Sequence, residues 1–116
     1  MIVEDDKTNQ RFYEKLKVWE EEGFVIAGQA SHGKEALALM EQNEYDFYLV
    51  DVMMPVMNGL EFLQELKNRG VDAPKIIASN YNEFEYVRQG MKLGAMDYLL
   101  KPITEDALRE CLQSVR

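Results

Sequence analysis

The stretch Asp46-Phe-Tyr-Leu-Val50, closed by Asp51, decides how this chain is read. Its apolar run Tyr48–Val50 lacks the alternation of a half-buried strand, as expected where both faces of a parallel strand are covered. Ile76–Ala78 has the same character and ends on Ser79. Shorter β-type runs at Met1–Val3, Phe24–Ala27 and Asp97–Leu100 complete a set of five, with Asp46–Val50 and Lys75–Ala78 as the central pair.

Helical periodicity fills the intervals, in stretches of roughly 10 to 15 residues. Phe12, Leu16 and Trp19 share one helical face; Ala36, Leu37 and Met40 make a second stripe. Leu60, Leu63 and Leu66 form a third, and Phe84, Val87 and Met91 a fourth. Ala107, Leu108, Cys111, Leu112 and Val115 line the last. Gly23, Gly33, Gly59, Gly70 and Gly94 fall at element ends, and Pro55, Pro74 and Pro102 outside the periodic segments. Five strands alternating with five helices predict an α/β domain, a mostly parallel sheet with helices on both faces. Thr8 or Asn9 is expected to cap the first helix. Val3 is followed at once by acids, so the first strand reads as clipped and the natural domain as starting a few residues earlier.

The 116 residues show no composition shift, linker or repeat, which predicts one domain over 1–116. With 47% hydrophobic residues the chain is not disordered. Thirteen Lys and Arg against 21 Asp and Glu leave a net charge of −8, which argues against direct binding of nucleic acid or an anionic membrane. A single cysteine excludes an internal disulfide and fits a reducing, cytoplasmic setting. No apolar run approaches the ~18 residues of a membrane span.

Ligands of open α/β sheets bind beyond the carboxyl ends of the strands, near the point where strand order reverses. The residues following the predicted strands are therefore the candidates. Glu4, Asp5 and Asp6 follow the first, Asp51 the third, Ser79 the fourth, and Lys101 with Pro102 the fifth. Three carboxylates near one point repel each other unless a cation joins them. Oxygen ligands without His or Cys suit Mg²⁺, with Mn²⁺ as the alternative. An aspartate beside such an ion can attack phosphorus and hold an aspartyl-phosphate. Lys101 would neutralise phosphoryl oxygens and the Ser79 hydroxyl would bond one of them, the positioning that phosphoryl transfer demands.

Glu4-Asp5-Asp6, Asp51-Val-Met-Met-Pro-Val-Met-Asn-Gly59, Ser79 and Asp97-Tyr-Leu-Leu-Lys-Pro102 together resemble the receiver domain of bacterial two-component response regulators. The resemblance covers essentially the whole chain and implies a three-layer, doubly wound (βα)5 flavodoxin-like fold with strand order 2-1-3-4-5. Asn82-Glu-Phe-Glu-Tyr-Val-Arg88 with the Asp97–Ile103 segment looks most like receivers joined to AraC-type DNA-binding output domains. The resemblance implies that Asp51 accepts phosphate from a histidine of a sensor kinase. Asp5 and Asp51 would ligate Mg²⁺ directly, Glu4 through water, and Met53 through its backbone carbonyl. Lys101 would pair with the phosphoryl group, Ser79 would move to bond it, and Tyr98 matches the aromatic that rotates inward on activation. The readout would be a homodimer through the fourth helix, fifth strand and fifth helix, or release of an output domain, controlling transcription. Family members usually carry a cis bond before the proline matching Pro102. Asn80 departs from the family's usual Gly or Ala and, with Tyr81, marks positions that tune phosphoryl lifetime; slow decay is expected.

A haloacid-dehalogenase-type hydrolase would need a second aspartate where this chain has Met53, and a capping domain for which there is no room. Intact Asp51, Asp5 and Lys101 speak against a degenerate receiver serving only as an interaction module, and Asn80 is the one feature in its favour. His32 reads as a surface turn, Trp19 as packing, Cys111 as a buried or interface thiol, Tyr86 as an outward aromatic, and Glu20-Glu21-Glu22 as a solvated helix end.

Overall fold

A computed structural model describes residues 1–80 and 82–115. Five strands, β1 (Ile2–Val3), β2 (Gln29–Ala30), β3 (Tyr48–Asp51), β4 (Lys75–Ser79) and β5 (Asp97–Leu100), form one sheet in the order β2-β1-β3-β4-β5. Every neighbouring pair is parallel, with Val3 opposite both Ala30 and Val50, Asp51 opposite Ala78, and Ser79 opposite Leu100. Among the described residues six helices surround it: α1 (Lys7–Lys15), α2 (Val18–Glu21), α3 (Gly33–Met40), α4 (Gly59–Asn68), α5 (Phe84–Lys92) and α6 (Glu105–Val115).

The central strands feed two cores by simple alternation. Tyr48, Val50 and Ile77 point to the face covered by α3, α4 and α5, where they meet Ala36, Phe62, Leu63, Leu66 and Val87. Leu49, Ile76 and Ala78 point to the other face, where Tyr13, Val18, Trp19, Leu108 and Leu112 of α1, α2 and α6 cover them. Burial on both sides explains why these strands read as unbroken apolar runs. β5 is an edge strand, as is β2 on the other side, and the outward residues of β5, Tyr98 and Leu100, are 44% and 50% exposed.

Four local expectations need correction. The expected second strand at Phe24–Ala27 lies instead at Gln29–Ala30. β1 offers only two rungs, which Gln29 and Ala30 take, so residues 24–27 keep a strand-like in-out pattern without a ladder partner. The first helix is broken: Leu16 is extended at φ −74°, ψ 128°, and the carbonyl of Tyr13 accepts from Leu16 N at 3.2 Å and from the Trp19 indole at 2.8 Å. That turn puts Tyr13 in the core and leaves Phe12 40% exposed. Asp6, not Thr8 or Asn9, caps α1, accepting from Thr8 N at 2.7 Å and Asn9 N at 3.3 Å. Glu22 is not a solvated helix end; it is buried and bonded at 3.1 Å to Arg109, which also takes Glu21 at 2.7 Å.

The expected fourth helix, here α5, is rotated from the stripe read in its sequence. Gly90 faces the sheet so closely that a Cβ there would lie 2.7 Å from Ile77 Cδ1. Val87 and Gly90 are buried along that line, and Phe84, at 70% exposure, and Met91 swing out toward β5. With Tyr98 and Leu100 they line a groove of about 520 Å³.

Candidate functional site

The strand order reverses at β1, whose partners are β2 on one side and β3 on the other. The chain leaves β1 toward the α1 layer and β3 toward the α4 layer, opening a crevice between the two carboxyl ends. Glu4 and Asp51 stand at its mouth.

Glu4 is 1% exposed, and its own backbone N–H continues the ladder to Ala30 O at 2.9 Å. Its carboxylate accepts from Asp6 N at 3.1 Å and from Asn9 Nδ2 at 3.4 Å, and Gln10 Nε2 donates to its carbonyl at 2.6 Å. Asn9 and Gln10 thus hold the acidic loop from the first turn of α1. The sequence reading missed both; their only signal was polarity on the turn directly after the acids.

Asp51 is buried at the end of β3. Its Oδ1 accepts from Met53 N at 3.3 Å and its Oδ2 from Lys101 Nζ at 3.0 Å. The same ammonium lies 3.4 Å from Glu4 Oε1. Asp5 is exposed, yet carboxylate oxygens of Glu4, Asp5 and Asp51 all fall within 4.8 Å of one another. Gly59, first residue of α4, lets that helix press on β3: a Cβ there would run into the Asp51 carbonyl and lie 2.7 Å from Val52 Cα.

Lys101 is carried by the end of β5, its backbone N–H bonded to Ser79 O at 2.8 Å, and a cis peptide joins it to Pro102. Ser79 is fully buried, and its Oγ has no hydrogen-bond partner among the described residues. Asn80 is exposed beside it. Tyr98 lies away from the crevice, on the α5–β5 groove. Tyr81 lies outside the described residues.

The electrostatics follow from this crowding. Burial, then the charge and hydrogen bond of Asp51, raise the Glu4 carboxyl to about 7, against smaller help from the Asp6 N–H and the Lys101 charge. Burial works against the Lys101 ammonium, but its bonds to Asp51 and Glu4 outweigh that and raise its pKa. Three carboxylates against one ammonium leave excess negative charge, and all their donors are oxygens. This set fits a hard divalent cation.

The response regulator receiver domain family matches residues 1–113. The transcriptional regulatory protein YdfI of Bacillus subtilis is 36% identical over 108 residues, 93% of this chain and 50% of its own length. Among solved structures, a receiver domain of a Francisella response regulator superposes with a TM-score of 0.83 at 34% identity, covering 98% of this chain and 92% of that one. The receiver domain of AraT, a response regulator from Geobacillus stearothermophilus, gives 0.89 at 30% identity, covering 98% and 88%. The chain spans about half the length of the curated relatives it matches.

Proposed function

This chain belongs to the response regulator receiver family of two-component systems, and from that premise we propose that Asp51 is its phosphoacceptor. The observation that carries the reading is the meeting of Lys101 with Asp51 and Glu4 beside the buried, unpartnered Ser79 hydroxyl. An orphaned buried hydroxyl costs stability in the state that leaves it unpaired, which points to its use in another state. A phosphoryl group on Asp51 supplies that use.

The donor is a phosphorylated histidine of a sensor kinase. The P–N bond breaks, a carboxylate oxygen of Asp51 forms the new P–O bond, and the imidazole leaves as the neutral or protonated base. Asp51 and Asp5 would hold Mg²⁺ directly, Glu4 through water and Met53 through its carbonyl, and Mn²⁺ would suit the same oxygens. The ion would supply charge neutralisation and orientation for the transferring group. Lys101 remains the fixed ammonium of the site and transfers its bond from the Asp51 carboxylate to a phosphoryl oxygen. Ser79 donates its hydroxyl to another. Asn80, with Tyr81, sets access for the hydrolytic water, and the phosphoryl state decays slowly. The role is that of a switch rather than of a metabolic enzyme.

The readout runs through the α5–β5–α6 face, the expected fourth helix, fifth strand and fifth helix. Tyr98 lies on that face, in the α5–β5 groove. Its inward rotation accompanies Ser79 capture and prepares the face for homodimerisation. We assign 1–116 to one receiver domain acting in the cytoplasm, linked to an output domain of the DNA-binding, AraC-like kind that controls transcription. Among the described residues no helix is long and apolar enough to cross a membrane. Beryllofluoride with Mg²⁺, a phosphoryl mimic, tests the switch: the signals of Ser79 and Tyr98 shift in the wild type and stay in place in Asp51→Ala.

A further inference from the structure

The peptide group between Ser79 and Asn80 is pinned at both ends. Its carbonyl accepts from Lys101 N at 2.8 Å, the last rung between β4 and β5. Its N–H donates to Glu83 Oε1 at 2.6 Å, and Glu83 returns a bond from its own N–H to Asn80 O at 3.1 Å. Asn80 and Glu83 therefore bond each other reciprocally, immediately before α5 begins. Its side chain does not cap α5, so this reciprocal pair is the contact in which the carboxylate is engaged. Asn80 also lines two depressions at once. One is the groove between α5 and β5; the other, of about 460 Å³, lies against Phe12, Lys101 and Pro102.

We infer that Glu83 is a latch, a positioning residue that holds the Ser79–Asn80 peptide in the resting arrangement and opposes recruitment of Ser79 by a phosphoryl group on Asp51. The inference rests on the assignment of Asp51 above. The Ser79 hydroxyl has no partner where it stands. Where recruitment of the hydroxyl draws the backbone along with the side chain, one of the two tethers of the Ser79–Asn80 peptide must yield. The Lys101 tether belongs to the β4–β5 ladder and moves with the strand pair. The Glu83 tether is a single side chain with rotamers to spare, and it is the one that gives. A bond made in one state and lost in the other biases the equilibrium between them by its net strength. Because Asn80 borders both depressions, release of the latch alters the face of α5 and the approach to Asp51 together.

The test compares wild type, Glu83→Gln and Glu83→Ala of this chain, titrated with beryllofluoride in Mg²⁺ and followed by amide NMR. Removing the latch lowers the half-saturating beryllofluoride about threefold to tenfold in Glu83→Ala, the scale of the net strength of one solvent-exposed hydrogen bond. Glu83→Gln, which keeps the shape and a neutral acceptor, falls between. In free Glu83→Ala, the Tyr98 and Leu100 signals lie displaced toward their wild-type bound positions. A loop support with no part in the switch would lower the unfolding midpoint and leave half-saturation unchanged; that result, or a rise in half-saturation, overturns the latch. If Glu83→Ala does not fold, Glu83→Gln carries the same comparison. A wild type that does not respond to beryllofluoride removes the Asp51 assignment and the latch with it. A responsive wild type with unchanged variants removes the latch alone.

Discussion

Lys101 Nζ donates to Asp51 Oδ2 at 3.0 Å while standing 3.4 Å from Glu4 Oε1, so one ammonium answers two buried carboxylates. The balance is incomplete, since Glu4 is still raised to about 7 from an ordinary 4.5. Its consequences are measurable in stability as well as in chemistry.

The contribution of Glu4 to stability should fall as pH rises. A carboxyl whose folded pKa exceeds its unfolded value binds its proton more tightly in the native state, so the benefit is full below 4.5 and lost by about 7. Loss of up to about 3 kcal/mol across that window is expected from Glu4. Urea unfolding at pH 5 and pH 8 measures it, and Glu4→Gln flattens the slope. At pH 8, Mg²⁺ at a hundredfold over its dissociation constant restores about 2.7 kcal/mol. Asp51→Asn loses most of that gain.

Ser79→Ala separates folding from switching. The hydroxyl is buried without a partner, so its removal leaves the unphosphorylated protein as stable as before or stabilises it by about 1 kcal/mol. The variant nevertheless accepts phosphate without the shift at Tyr98. Thermal unfolding and NMR of the same sample show both halves of this prediction.

Gly59 and Gly70 give a matched pair. Alanine at Gly59 collides with the backbone of Asp51 and Val52 and costs about 2–3 kcal/mol, and it also slows phosphorylation by displacing the acceptor strand. Gly70 sits at φ +70° with open space around it, so its alanine variant costs about 1–2 kcal/mol through backbone strain and leaves phosphorylation unchanged. Denaturation midpoints and acetyl phosphate labelling rates distinguish the two.

Val56, in the loop between β3 and α4, adopts φ +65°, a left-handed conformation costly for a β-branched residue. It is 66% exposed, so little packing offsets the strain. Val56→Gly or Val56→Asn should raise the urea midpoint by the equivalent of about 1 kcal/mol with unchanged slope.

The placement of the candidate site residues was more legible in the sequence than the local backbone. Glu4, Asp5, Asp51, Ser79 and Lys101 were legible because each follows a strand, and a parallel sheet brings all strand ends to one edge. The buried runs at Tyr48–Val50 and Ile76–Ala78 were legible because two-sided burial leaves no polar position. β2 was misplaced because its register depends on how little of β1 is available to pair, which hydropathy does not encode. The break at Leu16 was hidden because the Trp19 indole replaces a helical hydrogen bond, a tertiary event. Likewise the stripe Phe84, Val87 and Met91 misled because Gly90, with no side chain to count, forms the true contact line. Glu83 left no trace at all, since its partner is a backbone N–H.

The phosphoacceptor assignment is tested most directly by intact mass after incubation with Mg²⁺ and acetyl phosphate. One phosphoryl adduct on the wild type, absent from Asp51→Ala and from wild type in chelator, is the predicted result. No adduct on the wild type, or an equal adduct on Asp51→Ala, would contradict it.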